Sequence, residues 1–215
     1  MQFLTVGIEL FHKGGPVMYL LLLCSIVVLA VAIERFIYFR NAKTDATVFV
    51  EQLVKDIENK KFNHILERYA QTSKPLELLA VEGITAYQQK QNVETALEST
   101  AQLVAAHLRK PLPFLSTIVT VAPLFGLLGT VIGMIQSFSV FNVENGQPMA
   151  ITGGVGEALV ATATGLTVAI VALFAHTYFT HRLDEFVTDM EQVCAKIIRY
   201  LPKQNAGRGQ NNEVA

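Results

Sequence analysis

Tryptophan is absent, cysteine occurs twice, and charged residues make up 16% of the 215 positions, where a soluble domain carries about 25%. Two cysteines at opposite ends, Cys24 and Cys194, exclude a disulfide framework and read as packing residues. A formal net charge of −1, a pI near 6.5 and no basic stripe exclude nucleic acid as a partner. The shortage of charge is local. Gly14 to Ile33 carries none over twenty residues, and Leu112 to Phe141 none over thirty. Ala150 to Thr180 holds a single formal charge, Glu157, in thirty-one residues. A bilayer core of about 30 Å takes roughly 20 helical residues, so each run is long enough to cross it. No strand-length alternation competes.

These runs predict an all-α integral membrane protein. Three transmembrane helices, at 14–39, 111–141 and 153–180, have long helices extending into a cytoplasmic helical domain. Ala30-Val31-Ala32 resembles a signal-peptidase site, but the leading segment has one lysine, and the apolar run exceeds the usual length of about 7–15 residues. The first span is expected to be retained.

Orientation follows from lysine and arginine. Ten fall between Arg40 and Lys110 and five between Arg182 and Arg208. The connection after the second span, "FNVENGQPMAIT", has none. Basic residues collect on the cytoplasmic side. The N-terminus and the 142–152 loop are thus expected on the outer side of the membrane, with 40–110 and the C-terminus in the cytoplasm.

Residues 1–13 read as an amphipathic segment lying on the outer interface. Gly14-Gly15-Pro16 breaks the chain and starts a helix. Segment 40–110 reads helical throughout, with Phe49, Leu53 and Ile57 on one face, a turn at Lys74-Pro75, a cap at Asn92, and a Leu97, Ala101, Val104, Leu108 stripe. Residues 181–201 place Leu183, Phe186, Met190, Val193 and Ile197 on one stripe, and nothing breaks the helix before them. The tail, 202–215, reads as disordered.

The second span carries Gly126, Gly129 and Gly133, and the third answers with Ala158, Ala161, Gly165, Ala169 and Ala172. Small residues at such spacing let helices approach closely in a membrane. Pro123 removes the backbone bond to the Val119 carbonyl. Glu157 is the exception to this packing reading, because an ionisable residue at a span's centre costs at least about 2.5–3.5 kcal/mol. It lies about one turn inside the outer end, where interfacial water is an alternative solvent. Threonines in spans often bond back to the carbonyl four residues earlier, here Gly126 for Thr130 and Ala158 for Thr162. At 1.5 Å per residue, Thr130 and Thr162 both lie roughly 12–15 Å below the outer end. At ~100° per residue Thr164 shares the Glu157 face and Thr162 points about 140° away. Glu157 and Thr162 therefore line one pore only if the helix is distorted or Thr162 faces a neighbouring helix.

The stretches "APLFGLLGTVIGMIQSF" and "GEALVATATGLTVAI" resemble the MotA/TolQ/ExbB proton-channel family, most like its ExbB/TolQ branch, and "GGPVMYLLLLCSIVVLAVAIERF" is similar to that branch too. The resemblance runs to about residue 200, and three spans rather than four argue against the MotA branch. It implies a homopentamer in membrane lipid whose pore holds a dimer of a single-span ExbD/TolR-like partner carrying a membrane aspartate. A TonB/TolA-like transducer and work at the outer membrane follow in the same sense. The family's polar pore residues fall on Thr130, Glu157 and Thr162, and Thr164 stands where the family more often has an aliphatic residue. No cofactor is implied, protons being what moves.

The competing classes are weaker. Five histidines at no metal spacing and no nucleophile motif argue against an enzyme. Three spans without an internal repeat argue against a secondary transporter. A non-conducting scaffold shares every packing feature, and a TolQ-like envelope role stands beside the ExbB-like one.

Overall fold

The computed structural model describes residues 15–42, 44–72, 74–143 and 148–202. The expected amphipathic segment 1–13 and all of the tail after Pro202 lie outside them. Among the described residues the chain is all-α. Its helices are α1 (Val17–Ala42), α2 (Ala46–Glu58), α3 (Phe62–Tyr69), α4 (Pro75–Gln88), α5 (Val93–Arg109), α6 (Leu112–Val143) and α7 (Pro148–Tyr200). Three helical stretches are long and apolar enough to cross a membrane, and they hold the apolar parts of α1, α6 and α7. The chain divides into two compact units, one of residues 1–39 and 108–183, the other of 40–107 and 184–215.

In the first unit α1 begins where Gly15 adopts φ +70°, a conformation open to glycine, and Pro16 follows. Val17, Met18, Leu21 and Val28 are buried, while Tyr19, Leu23, Ile26 and Leu29 on the other sides of the helix are exposed. Hydrophobic side chains facing outward all round a bundle suit hydrocarbon, not water. Helix α6 continues through Pro123 without interruption.

Arg35 is 5% exposed and donates through Nη1 to the Leu108 carbonyl at 3.2 Å. Its other nitrogens hold Glu34, and its guanidinium lies 4.8 Å from the Tyr38 ring centroid. The carbonyls of a helix's last turn lack intrahelical partners; Arg35 supplies one at the end of α5. Phe39 stacks on Phe179 with centroids 6.0 Å apart.

The second unit has a core of its own. Phe49, Leu53 and Ile57 of α2, Ile65 of α3, Leu76, Leu79, Ala80 and Ile84 of α4, and Leu97 of α5 surround Met190, Val193 and Ile197 of α7. The amphipathic stripe at the end of α7 is thus buried against α2–α5. Asp45 caps α2 by accepting from the Thr47 and Val48 amides, and Asn92 caps α5 by accepting from Thr95.

The helix bounds differ from the sequence expectation at several points. Segment 40–110 forms four helices, with the expected turn at Lys74-Pro75 before α4 and the expected cap at Asn92 before α5, while Lys60 and Lys90 end α2 and α4 at φ +54° and +58°. Such left-handed ends usually carry glycine or asparagine, so lysine gave no warning. α1 runs three residues past Phe39. α7 starts at Pro148, inside the expected 142–152 loop, and proline suits a helix's first turn.

Candidate functional site: a glycine seam with two polar faces

The α6–α7 contact is built on glycine. A Cβ on Gly126 would stand 3.0 Å from the Thr162 Cα, and one on Gly165 would stand 2.6 Å from the Ala122 carbonyl oxygen. A Cβ on Gly129 would meet the Ala161 Cβ at 2.5 Å, and one on Gly133 the Ala158 Cβ at 3.2 Å. Gly126, Gly129, Gly133, Ala158, Ala161 and Gly165 are all buried along this seam. Gly165 also lies against the turn around Pro123, where its missing side chain makes room for the backbone at Ala122.

The polar side chains flank this seam on two different faces. On α7, at ~100° per residue, Glu157 and Thr162 sit roughly 70° to either side of the midline through Ala158, Ala161 and Gly165. On α6, Gln136 and Thr130 sit roughly 60° to either side of the midline through the three glycines. Glu157 and Gln136 line one crevice, with Gly129, Ile132 and Gly133 as its floor and Gly15, Pro16 and Val17 from the start of α1 as its third wall. Thr130 and Thr162 therefore share the opposite face of the α6–α7 pair.

Each hydroxyl has an acceptor. Thr162 Oγ1 donates to the Gly126 carbonyl oxygen on the other helix at 3.1 Å, not to Ala158 on its own. Thr130 Oγ1 donates to the Leu127 carbonyl at 2.6 Å instead of to Gly126. The Thr162 departure has a visible cause: Gly126 brings α7 so close that its carbonyl falls within reach of Thr162. Thr164 follows the back-bonding rule and donates to Val160 at 2.8 Å, on the Glu157 side. Of the alternatives left by the helical angles, Thr162 faces a neighbouring helix. Ser137, buried, donates to the Gly133 carbonyl at 2.8 Å and lies against Gly154.

Sequence reasoning passed over Gln136. The available signal was its position, an amide three residues beyond Gly133 in a span otherwise short of strongly polar side chains. Neither Gln136 nor Glu157 has a hydrogen-bond or ion-pair partner among the described residues. No group of three or more histidine, cysteine, aspartate or glutamate side chains among them could hold a metal ion.

A helical membrane protein whose tight glycine seam separates a carboxylate face from a hydroxyl face is a candidate for moving ions, not for chemistry on a bound substrate. Its ancestry is narrower than that. Residues 49–192 match the MotA/TolQ/ExbB proton channel family, and the chain belongs to that family. It is 29% identical to an ExbB homolog of Methanothermobacter thermautotrophicus, over 89% of this chain and 69% of that one. The biopolymer transport protein ExbB of Neisseria meningitidis is 30% identical over 84% of this chain and 90% of its own. The Tol-Pal system protein TolQ of Haemophilus influenzae is 24% identical over 94% and 96%. The relatives named are biopolymer transport and Tol-Pal system proteins, which points away from an enzyme.

Proposed function

We propose that the chain is the ring-forming subunit of an inner-membrane proton channel that turns proton motive force into work at the outer membrane, in the manner of ExbB. The observation that carries this is Glu157. It is the only formal charge between Ala150 and Thr180, it lines a crevice rather than a packed core, and an ionisable residue in a span is functional by default. Several copies, five in the reading favoured here, enclose a path at the junctions between subunits, which Glu157 reaches from one side of the α6–α7 seam and Thr130 and Thr162 from the other. A single-span partner of the ExbD/TolR type, two copies in the ring, brings a membrane aspartate. That carboxylate is needed because none of the three spans contains an aspartate, and Glu157 is too near one end to carry a proton across alone. Each proton descending 100 mV releases about 2.3 kcal/mol, available to move the partner and, through it, a TonB/TolA-like transducer.

Glu157→Ala and Thr162→Ala are expected to leave the assembled oligomer at its normal size and to abolish energised function. Full activity in both would sink the channel reading and leave a scaffold. The TolQ likeness favours a second reading, service to a Tol-type envelope system. Expression in strains lacking either system separates the two: restored TonB-dependent uptake supports the first, restored envelope integrity the second.

A further inference from the structure

We propose that the crevice between the start of α1, Gln136 and Glu157 is the entrance of the proton path, and that Gln136 is the positioning residue that hydrogen-bonds the Glu157 carboxyl there. This rests on the channel reading above. It adds a residue and a doorway to it.

Three observations converge on this crevice. First, glycines open it: Gly15, just ahead of α1, and Gly129 and Gly133 on α6 leave space beside Pro16, Val17 and Ile132. Space beside a carboxylate in a helical bundle is costly in lost packing, and nothing in the seam itself needs it. The Gly129 and Gly133 contacts with Ala161 and Ala158 would be the same without an opening to one side.

Second, among the described residues Gln136 and Glu157 are the only hydrogen-bonding side chains lining it, and neither has a hydrogen-bond or ion-pair partner there. A carboxamide donates and accepts at once, so it can serve the carboxylate and the carboxylic acid alike. No other ionisable group lines the crevice among the described residues, from α1, α6 or α7.

Third, the order along the path is right. The helices run antiparallel, and Gly133 lies against Gly154 and Ala158, which sets Gln136 about one turn nearer than Glu157 to the end where α6 and α7 connect. At 1.5 Å per residue that is roughly 5–6 Å, within reach of two flexible side chains or one bridging water. Water entering from that end meets the amide first. A proton arriving on water passes to the Glu157 carboxylate, and water is left behind; the amide moves no proton itself and fixes the acceptor.

The start of α1 completes the doorway. Gly15 holds a left-handed backbone, and Val17 lies 3.7 Å from where a Gly129 Cβ would be. The crevice therefore exists only while α1 begins at this point against α6.

The test uses the full chain reconstituted with its partner in lipid vesicles and reads two signals. The first is the infrared C=O stretch of the protonated Glu157 carboxyl, identified by its loss in Glu157→Gln. The second is the rate of proton entry. Gln136→Leu is expected to move the C=O band to higher frequency, since the carboxyl loses its partner, and to slow proton entry about tenfold, the scale of one lost hydrogen bond to a charged group. Gln136→Asn, which keeps the amide, is expected to restore the band most of the way. A merely structural role for Gln136 would not move the band. Should Gln136→Leu fail to assemble, Gln136→Ala carries the same reading. An unmoved band in the assembled variant overturns the proposal while leaving the channel intact. A moved band alongside full energised function in Glu157→Gln would uphold the Gln136–Glu157 contact and remove the channel reading beneath it.

Discussion

Across the seam between α6 and α7, the Thr162 hydroxyl donates a hydrogen bond to the Gly126 carbonyl oxygen at 3.1 Å. That carbonyl is reachable only because residue 126 has no side chain. The relationship joins what looks like a polar pore residue to what looks like a packing residue, and makes each depend on the other. It also separates two roles that a single substitution would confuse. Thr162→Ser keeps the donor and should be close to neutral. Thr162→Val keeps the shape and loses the bond, which interhelical measurements in membranes put at about 0.6 kcal/mol and up to about 1.7. Unfolding of both variants in mild detergent measures the difference. If valine is as stable as wild type but inactive, the hydroxyl serves the proton path and not the seam.

The seam predicts an asymmetry among the glycines. Gly165→Ala would set a methyl 2.6 Å from the Ala122 carbonyl oxygen and 3.0 Å from the Gly126 Cα, against backbone that cannot rotate away. Overpacking of this kind costs about 1–3 kcal/mol. Gly156→Ala meets open space within 4 Å, and alanine is the better helix former by roughly 1 kcal/mol in water. Thermal melting of the detergent-solubilised chain should therefore fall for the first and hold or rise for the second. Equal loss in both would mean that the seam is not where the structure puts it.

Much of this was legible beforehand, and the limits have physical reasons. Uninterrupted apolar runs announced the three long helices, and the absence of any breaker after Thr180 announced that α7 continues, as it does to Tyr200. The spacing of Gly126, Gly129 and Gly133 against Ala158, Ala161 and Gly165 announced the seam. A period of 3.6 gives a residue's angle on its own helix and nothing about its neighbour. The partner of Thr162 was accordingly beyond it, and so was the crevice that unites Gln136 with Glu157 and the start of α1. The helix ends at Lys60 and Lys90 were hidden because lysine carries none of the chemistry that marks a left-handed cap. Arg35 was legible as a border residue but not as a buried group holding the Leu108 carbonyl.

The second unit should stand or fall on α7. Ile197 is fully buried, and the Gly83 position lies directly beneath it, since a Cβ there would stand 3.0 Å from Ile197 Cγ2 and 3.1 Å from Leu97 Cδ2. Ile197→Ala leaves a cavity bounded by α4 and α5, a change that typically costs 2–5 kcal/mol. Nearby, burial pushes the Cys194 thiol up to about 11, despite a backbone hydrogen bond that opposes it. The thiolate is the reactive form, so wild type should react slowly with iodoacetamide at pH 8. Ile197→Ala should speed that reaction as the core opens. Mass spectrometry of the labelled peptide reads both; identical rates would show that the core does not cover the thiol.

Asp189 gives the same unit a pH dependence whose sign can be worked out. Burial raises its pKa above the ordinary 3.8, and the Glu185 and Asp45 carboxylates push the same way. The folded chain then holds this proton more tightly than the unfolded chain does. Stability from this group is complete at low pH, declines as pH rises from 3.8 through the raised folded value, and is absent above it. This is the reverse of a salt-bridged aspartate. Asp189→Asn removes the charge and keeps the size, so it should melt higher than wild type at pH 7. The advantage should shrink as pH is lowered toward 3.8. Asp45→Asn offers a control, because asparagine caps a helix about as well as aspartate. It should keep the bonds to Thr47 and Val48 while easing the repulsion, giving a smaller gain of the same sign. Differential scanning calorimetry of the full chain across this range measures all three. A loss of stability in Asp189→Asn at pH 7 would mean that the carboxylate has a favourable partner in the folded chain that outweighs its burial.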